Sequence, residues 1–313
     1  MSSKPCVRFL QNEFEGLDSK TREAEWDKRY KSLDIASEQR ERIKNIEYLE
    51  IFDRYLGQSL SDFKRSSEST RVLELACGAA PFTKRSIERG AVALASDYSE
   101  VITKRLSEEF GYKTARIDLW NIDSSVGEFD IIVLAGGIYE SADYTLPKRA
   151  YASLKELLSE DGIIIQFLNR YDNIANRMMI LNATLRRLLS PKNNNLIRKA
   201  FGKKRLKTTH SFWLMPISYV CECGILEGLE LESVVPMELS NGILDATVYG
   251  LYPFRFFPFK DPYAYSQDGA ERYREVVFNR LFLNFVDFLF RRKKLRLAFS
   301  KSACIVFSKK LNS

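Results

Sequence analysis

The run VLELACGAAPFT (72–83) puts a carboxylate, a turn of small residues and a helix start within twelve positions. Glu74 ends an apolar stretch, Gly78 lies in the turn, and Pro81 takes a favoured first helical position. Small residues let backbone approach a ligand closely, and a helix start offers N–H groups that have no partner inside the helix. In the dinucleotide-binding form of this arrangement three glycines and the helix cradle a pyrophosphate. Only Gly78 remains of those three, and Glu74 stands where it would repel a pyrophosphate, so NAD is disfavoured. A carboxylate beside the turn suits instead a nucleoside that carries a cationic amino-acid portion. Two further carboxylates extend the set. Asp97, twenty-three residues after Glu74, can accept both ribose hydroxyl protons, and Asp118 is placed to accept from an adenine amino group.

Candidates for proton transfer lie further along. His210 is the only histidine, and its ordinary pKa suits a base at neutral pH; an equal reading is that it helps form the turn into the next helix. Tyr139 and Glu140 follow one apolar run, and Asn169 and Arg170 follow another. Ligands of α/β sheets sit outside the carboxyl ends of the strands, so these four face the pocket or serve as loop residues.

The elements that must position these groups alternate regularly. RVLELA (71–76), AVALAS (91–96), YKTARI (112–117), FDIIVLA (129–135) and GIIIQFL (162–168) read as strands, with helices over 81–88, 99–109 and 146–158. Strands apolar on both faces, alternating with helices, imply a parallel sheet covered on both sides. An amphipathic helix is expected over 37–56, and the Ser-rich stretch 57–70 reads as a linker. Beyond residue 170 the pattern gives a helical, basic stretch over 174–190, a short helix over 216–223, a sixth strand over 229–237 and a last strand over 302–310. The organisation is therefore an N-terminal helical segment (1–60), a nucleoside-binding core (61–170), a helical insertion or lid (171–228), and a final part (229–313) whose long insertion covers 238–300.

Composition sets the outer bounds. The 313 residues are 45% hydrophobic and 28% charged, which excludes disorder throughout. No stretch is apolar for the ~18 residues that a spanning helix needs, and no secretory signal is expected at the N-terminus. Five scattered cysteines, with Cys221 and Cys223 the only close pair, point to free thiols in a reducing cytoplasm and to no metal site. The net charge of +7 is concentrated in 198–207 (RKAFGKKRLK) and 291–296. Such runs either attract phosphate-bearing partners or form a solvated face.

VLELACGAAPFT, followed in order by ALASDYSE, ARIDLWN and FDIIVLAGGIYES, resembles the class I S-adenosylmethionine-dependent methyltransferases of the small-molecule branch. The resemblance covers about 25–170 and resumes at 209–234 and 303–309. It implies a Rossmann-like, doubly wound, mostly parallel seven-stranded sheet with a reversed last strand, to which helical and aromatic insertions add a lid. The family motif reads acidic-x-Gly-x-Gly-x-Gly; here Glu74, Ala76, Gly78 and Ala80 stand at those places, and Ala80 would bring a methyl group toward the methionine portion. The resemblance further implies Asp97 at the ribose, Asp118 and Leu119 at the adenine, Ala135 near the methionine portion, and Tyr98 among the cofactor-binding residues. In WDKRY (26–30) it implies an aromatic, Trp26 or Tyr30, closing over the cofactor.

The acceptor is expected to be a small molecule methylated on oxygen in a biosynthetic step, with His210 as base and Tyr139 in the pocket. The aromatic and basic residues of 171–208 and 238–300 suit a bulky, partly anionic acceptor of the sugar or natural-product kind. Two rivals stay open: methylation of RNA or of nitrogen, favoured by the basic runs, and a binding protein that kept the fold without catalysis. The segment 280–297, aromatic beside a basic run, reads as a buried helix with a solvated end or as a peripheral membrane contact.

Overall fold

The computed structural model describes residues 7–9, 24, 26–28, 30–43, 46–62, 70–119, 121–135, 145–169, 212–214, 216–237, 298, 300 and 302–309. Two compact units divide the chain: residues 1–169, 209–235 and 304–313 form one, and residues 170–208 and 236–303 the other. Nearly all the described elements belong to the first. They are β1 (Val7–Phe9), α1 (Ile35–Ile43), α2 (Ile46–Asp62), β2 (Arg71–Leu75), α3 (Pro81–Glu88), β3 (Val92–Asp97), α4 (Glu100–Phe110), β4 (Thr114–Arg116), β5 (Phe129–Leu134), α5 (Leu146–Glu156), β6 (Leu158–Asn169), β7 (Phe212–Leu214), α6 (Ile217–Leu226), β8 (Leu229–Met237) and β9 (Ser302–Lys309).

Seven strands form one sheet in the order β4-β3-β2-β5-β6-β9-β8. The fold is Rossmann-like and mostly parallel, with the last strand reversed. Strand order changes direction at β2, which pairs in parallel with β3 on one side and β5 on the other. A crevice at such a switch point is where ligands of doubly wound sheets bind. The register aligns the strand ends there: Glu74 pairs with Ala95 and Val133, and Leu75 with Leu134. Residues 72–75 of β2 and all of β5 are buried, as a strand covered on both faces must be.

The helices start and stop for local reasons. Asp34 Oδ1 accepts from Ser37 N–H at 2.9 Å and opens α1. Ser99 caps α4 through its Oγ, and Gly111, at φ +68°, closes that helix in the left-handed conformation glycine tolerates. The expected single helix over 37–56 is instead α1 and α2. The second runs through Asp62, into the stretch read as linker. Ile51, Phe52 and Leu56 bury one face of α2, while Gly57 and Gln58 lie on the exposed one. Its polar residues are thus the solvated continuation of an amphipathic helix.

Strand boundaries also move. β4 keeps three of the six expected residues, and β6 begins four residues earlier than expected. The register between β5 and β6 shifts between Phe129 and Ile131, so residues 159–162 are taken up as an irregularity. Gly162 permits this, because a Cβ there would lie 3.0 Å from the Phe129 carbonyl oxygen. A two-stranded antiparallel ribbon, β1 with β7, pairs Val7 with Leu214 and was not expected from the sequence. Among the described residues no helix is long and apolar enough to cross a membrane.

Candidate active site

The turn after β2 is built from three left-handed residues at alternate positions. Ala76 has φ +50°, Gly78 +51° and Ala80 +55°. Left-handed backbone costs an L-residue roughly 1–2 kcal/mol. The chain therefore retains the backbone path of a three-glycine turn although two of the three places hold alanine. The Ala80 side chain is fully buried, in a cluster with Ile35, Cys77, Ala79, Ala95, Ile102 and Leu106. Its methyl group is thus part of the packing beneath the turn. Ala80 N–H closes the turn on the Cys77 carbonyl at 2.8 Å, and Cys77 N–H ties it to the Ser96 carbonyl of β3 at 2.9 Å.

Two buried carboxylates flank this turn. Glu74 is 1% exposed, and its Oε2 accepts from Thr83 N–H at 2.6 Å. It thereby lies against the first turn of α3, where N–H groups and the helix dipole favour negative charge. Asp97, 6% exposed, ends β3; its Oδ2 accepts from Gly78 N–H at 3.0 Å and its Oδ1 from Ser99 N–H at 3.1 Å. Burial pushes the Asp97 carboxyl above its ordinary range, opposed by hydrogen bonds from the backbone of Ser99, Gly78 and Tyr98 and from the Tyr30 hydroxyl. This pair of carboxylates makes the turn hostile to a pyrophosphate and receptive to cationic or hydroxyl-bearing ligands.

The remaining nucleoside candidates line the same edge of the sheet. Tyr98 follows Asp97 directly, half-buried, with the Arg116 guanidinium 5.6 Å from its ring centroid and Arg116 Nε donating to its carbonyl at 3.2 Å. Ile117 N–H reaches the Asp97 carbonyl at 3.1 Å, which carries the chain from β4 to Asp118 and Leu119, both half-buried. Asn121 N–H donates to the Asp118 carbonyl at 2.9 Å and folds this stretch into a tight turn. Ala135, half-buried, lies immediately past the end of β5, as Ala76 lies past the end of the paired β2. Ala76, Asp97, Tyr98, Asp118, Leu119 and Ala135 thus share the carboxyl end of four neighbouring strands.

A segment from the N-terminal side lies on this turn. Trp26, Asp27 and Tyr30 are on helical backbone, and the rings of Trp26 and Tyr30 stack at 5.5 Å between centroids. The Asp27 carboxylate accepts from the Ser99 hydroxyl. Arg105 Nη1 donates to the carbonyls of Tyr30 at 2.7 Å and Leu33 at 2.8 Å, and Gln39 Nε2 donates to the Ala79 carbonyl at 2.6 Å. Tyr30 and Leu33 pack on the cluster beneath the turn. Arg105, Gln39, Asp27 and Ser99 were not among the sequence candidates. Nothing in their spacing separates them from the ordinary polar face of a helix, because each acts across a long stretch of chain.

His210, Tyr139, Glu140 and Arg170 lie outside the described residues, and for Asn169 only the backbone, at the end of β6, is described.

The chain matches no protein-family model and no curated protein. It is similar to solved structures at low identity. One is a TehB-like S-adenosylmethionine-dependent methyltransferase from Corynebacterium glutamicum, at 14% identity and TM-score 0.41, covering 86% of this chain and 99% of that one. A second is an S-adenosylmethionine-dependent methyltransferase from Mesorhizobium loti, at 14% identity and TM-score 0.43, covering 82% and 96%. A third is the PKMT2 protein from Rickettsia typhi in complex with AdoHcy, at 15% identity and TM-score 0.43, covering 82% and 52%.

Proposed function

We propose that this chain is an S-adenosylmethionine-dependent methyltransferase that acts on oxygen of a small-molecule acceptor. The observation that carries the reading is the turn after β2. It keeps the left-handed path of a glycine turn and sets two buried carboxylates, Glu74 and Asp97, around the place where a nucleoside would enter. Those carboxylates fit a ligand with a ribose diol and a cationic amino-acid end. Asp97 alone would fit the ribose of NAD too, and it is Glu74 beside the turn and the missing glycines that disfavour NAD.

When bound, S-adenosylmethionine supplies an activated methyl group for in-line displacement. In this reading Asp97 accepts the ribose hydroxyls, with Tyr98 beside it. Asp118 accepts from the adenine amino group and Leu119 packs on the base. Ala76, Gly78 and Ala135 let the backbone of two neighbouring strand ends approach the methionine portion, and Glu74 holds the α3 start and supplies negative charge near the ammonium. Trp26 or Tyr30 forms the aromatic cover. His210 takes the proton from the acceptor hydroxyl and Tyr139 lines the acceptor side. Holding nucleophile and methyl in register can supply much of the rate without further machinery. The insertions 171–208 and 238–300 are the proposed lid. Their aromatic and basic residues suit an anionic or glycan-type acceptor, and a cytoplasmic setting fits the free thiols of Cys77, Cys221, Cys223 and Cys304 among the described residues.

Thermal unfolding with S-adenosylhomocysteine, and with NADH and ATP as controls, tests the reading. Ligand at ~100 times its dissociation constant adds roughly 2.7 kcal/mol and raises the midpoint by a few degrees. A shift confined to S-adenosylhomocysteine is expected. Absence of any shift at millimolar ligand would favour the non-catalytic alternative.

A further inference from the structure

Asp97 is already met by donors. Its two oxygens accept from the N–H groups of Gly78, Tyr98 and Ser99 and from the Tyr30 hydroxyl. An ionised carboxylate offers about four lone-pair sites, so all are in use. Three of the donors are backbone amides fixed by local structure. Gly78 belongs to the turn closed by the Ala80 N–H and Cys77 carbonyl, and Ser99 is the cap of α4. Moving any of them unmakes a turn or a helix start. The fourth donor belongs to a different part of the chain, the segment from Trp26 to Gln39. The Tyr30 hydroxyl also lies 3.8 Å from where a Cβ of Gly78 would stand, directly over the glycine of the turn.

A ribose diol brings two hydroxyl donors to the same carboxylate, so at least one donor present must leave. We propose that Tyr30 is an internal stand-in for the ribose: its hydroxyl occupies Asp97 in the ligand-free protein and is displaced when the cofactor enters. The inference rests on the reading of Asp97 as the ribose acceptor. It explains why a buried carboxylate at the carboxyl end of β3 is held by a side chain from another segment. A buried acceptor left short of a donor costs free energy, and Tyr30 meets that need until a ligand arrives. Binding then removes one tie of this segment to the turn, while the contacts of Asp27 with Ser99 and of Arg105 with the Tyr30 carbonyl keep it nearby. Apparent affinity is lowered by the fraction of molecules in which Tyr30 is seated.

The test is calorimetric titration of S-adenosylhomocysteine into the full-length chain and its Tyr30→Phe variant. Removing the competing hydroxyl is expected to lower Kd about two- to tenfold, the worth of one hydrogen bond no longer forfeited. An unchanged or raised Kd in the variant overturns the proposal, since that is the result for a hydroxyl that touches or covers bound ligand. Hydrogen exchange on the unaltered chain gives a second readout that needs no variant. Saturating ligand should speed exchange over 26–39 while slowing it over 76–80 and 97–99. Slower exchange in both regions overturns the proposal and leaves the cofactor reading standing. Neither heat nor protection in either protein overturns the cofactor reading, and the stand-in with it.

Discussion

The two halves of the sheet use burial in opposite ways. Around β2 and β3 the buried polar groups include two carboxylates met by backbone N–H groups: Glu74 by Thr83, Asp97 by Gly78 and Ser99. Around β6 and β9 the buried groups are neutral and their surroundings are aromatic. Tyr151 meets Phe307 edge-on at 5.0 Å, and its hydroxyl donates to Gln166 Oε1. Burial pushes the Tyr151 hydroxyl well above its ordinary range, raises the Cys221 thiol to about 11, and raises the Cys304 thiol further. One half keeps charge inside by surrounding it with fixed dipoles; toward the other the buried charge is Asp130 of β5, which accepts from Arg71 N–H and the Ser159 hydroxyl. A binding edge needs the first arrangement and a packing edge the neutral, aromatic one, which is why the proposed function puts the ligand at β2 and β3.

The contrast can be broken from the ligand side first. Asp97→Asn should weaken S-adenosylhomocysteine by about 1.5–3 kcal/mol, the usual worth of a hydrogen bond to a charged group, read by calorimetry. It should also cost stability, because asparagine keeps one oxygen where Gly78 and Ser99 N–H groups now meet two, so urea unfolding is measured beside affinity. The sign of the pH effect follows from the raised pKa of Asp97. In the window that starts at the unfolded-state value of 3.8, the native state binds more protons than the unfolded one. Stability from this group is therefore greatest at low pH and is lost as pH rises through the native pKa. Urea unfolding of the two proteins between about pH 4 and 7 should show that slope in the wild type and lose it in Asp97→Asn. Ligand affinity should run the opposite way, falling as Asp97 takes up its proton.

The supporting half should answer differently. Gly224 on α6 has no room for a side chain, as an added Cβ would sit 2.6 Å from the Phe307 ring. Gly224→Ala should cost about 1–3 kcal/mol by overpacking, measured by chemical denaturation, and leave ligand affinity unchanged. Reducing Phe307 to Leu in the same chain should recover part of the loss; no recovery would mean that the ring is not the obstacle.

The smallest effect sharpens the account of the turn. Ala76→Gly relieves a left-handed alanine that is only half-buried, a gain of roughly 1–2 kcal/mol set against glycine's entropy of roughly 0.5–1. A net stabilisation of several tenths of a kcal/mol up to about 1 is expected from thermal unfolding. Ala80→Gly should be closer to neutral, because its methyl is fully buried and its removal gives up about 0.8 kcal/mol of burial.

Much of the sheet was legible because each core strand is a short apolar run bounded by turn residues, and strand-to-helix alternation has few topologies. The positions of Asp97 and Asp118 followed from strand ends, and that of Ala135 from the family resemblance. The irregularity at 159–162 was not legible, since it depends on a close approach of Gly162 to the Phe129 carbonyl that no periodicity reports. Nor was the β1–β7 ribbon, three residues on each side paired across most of the chain. The clamp of Arg105 and Gln39 on the N-terminal segment escaped for the same reason: each looks like a solvated helix residue until its distant carbonyl is known. The left-handed alanines were the converse case. Composition suggested a turn that had lost its glycines, whereas the backbone had kept its path and taken on the strain.

The order β6-β9-β8 has a consequence for how the chain is made. β8 is the sheet's outer strand and its neighbour in that order is β9, yet residues 238–301 must be synthesised between the two. At roughly 5–20 residues per second that leaves β6 with an open edge, and β8 with no partner in the sheet, for several seconds on the ribosome. Unpaired edges of this kind are templates for the wrong partner. The last half of the sheet is therefore where a chaperone would be needed, and where a stalled or truncated chain would aggregate, while the cofactor half can already be complete.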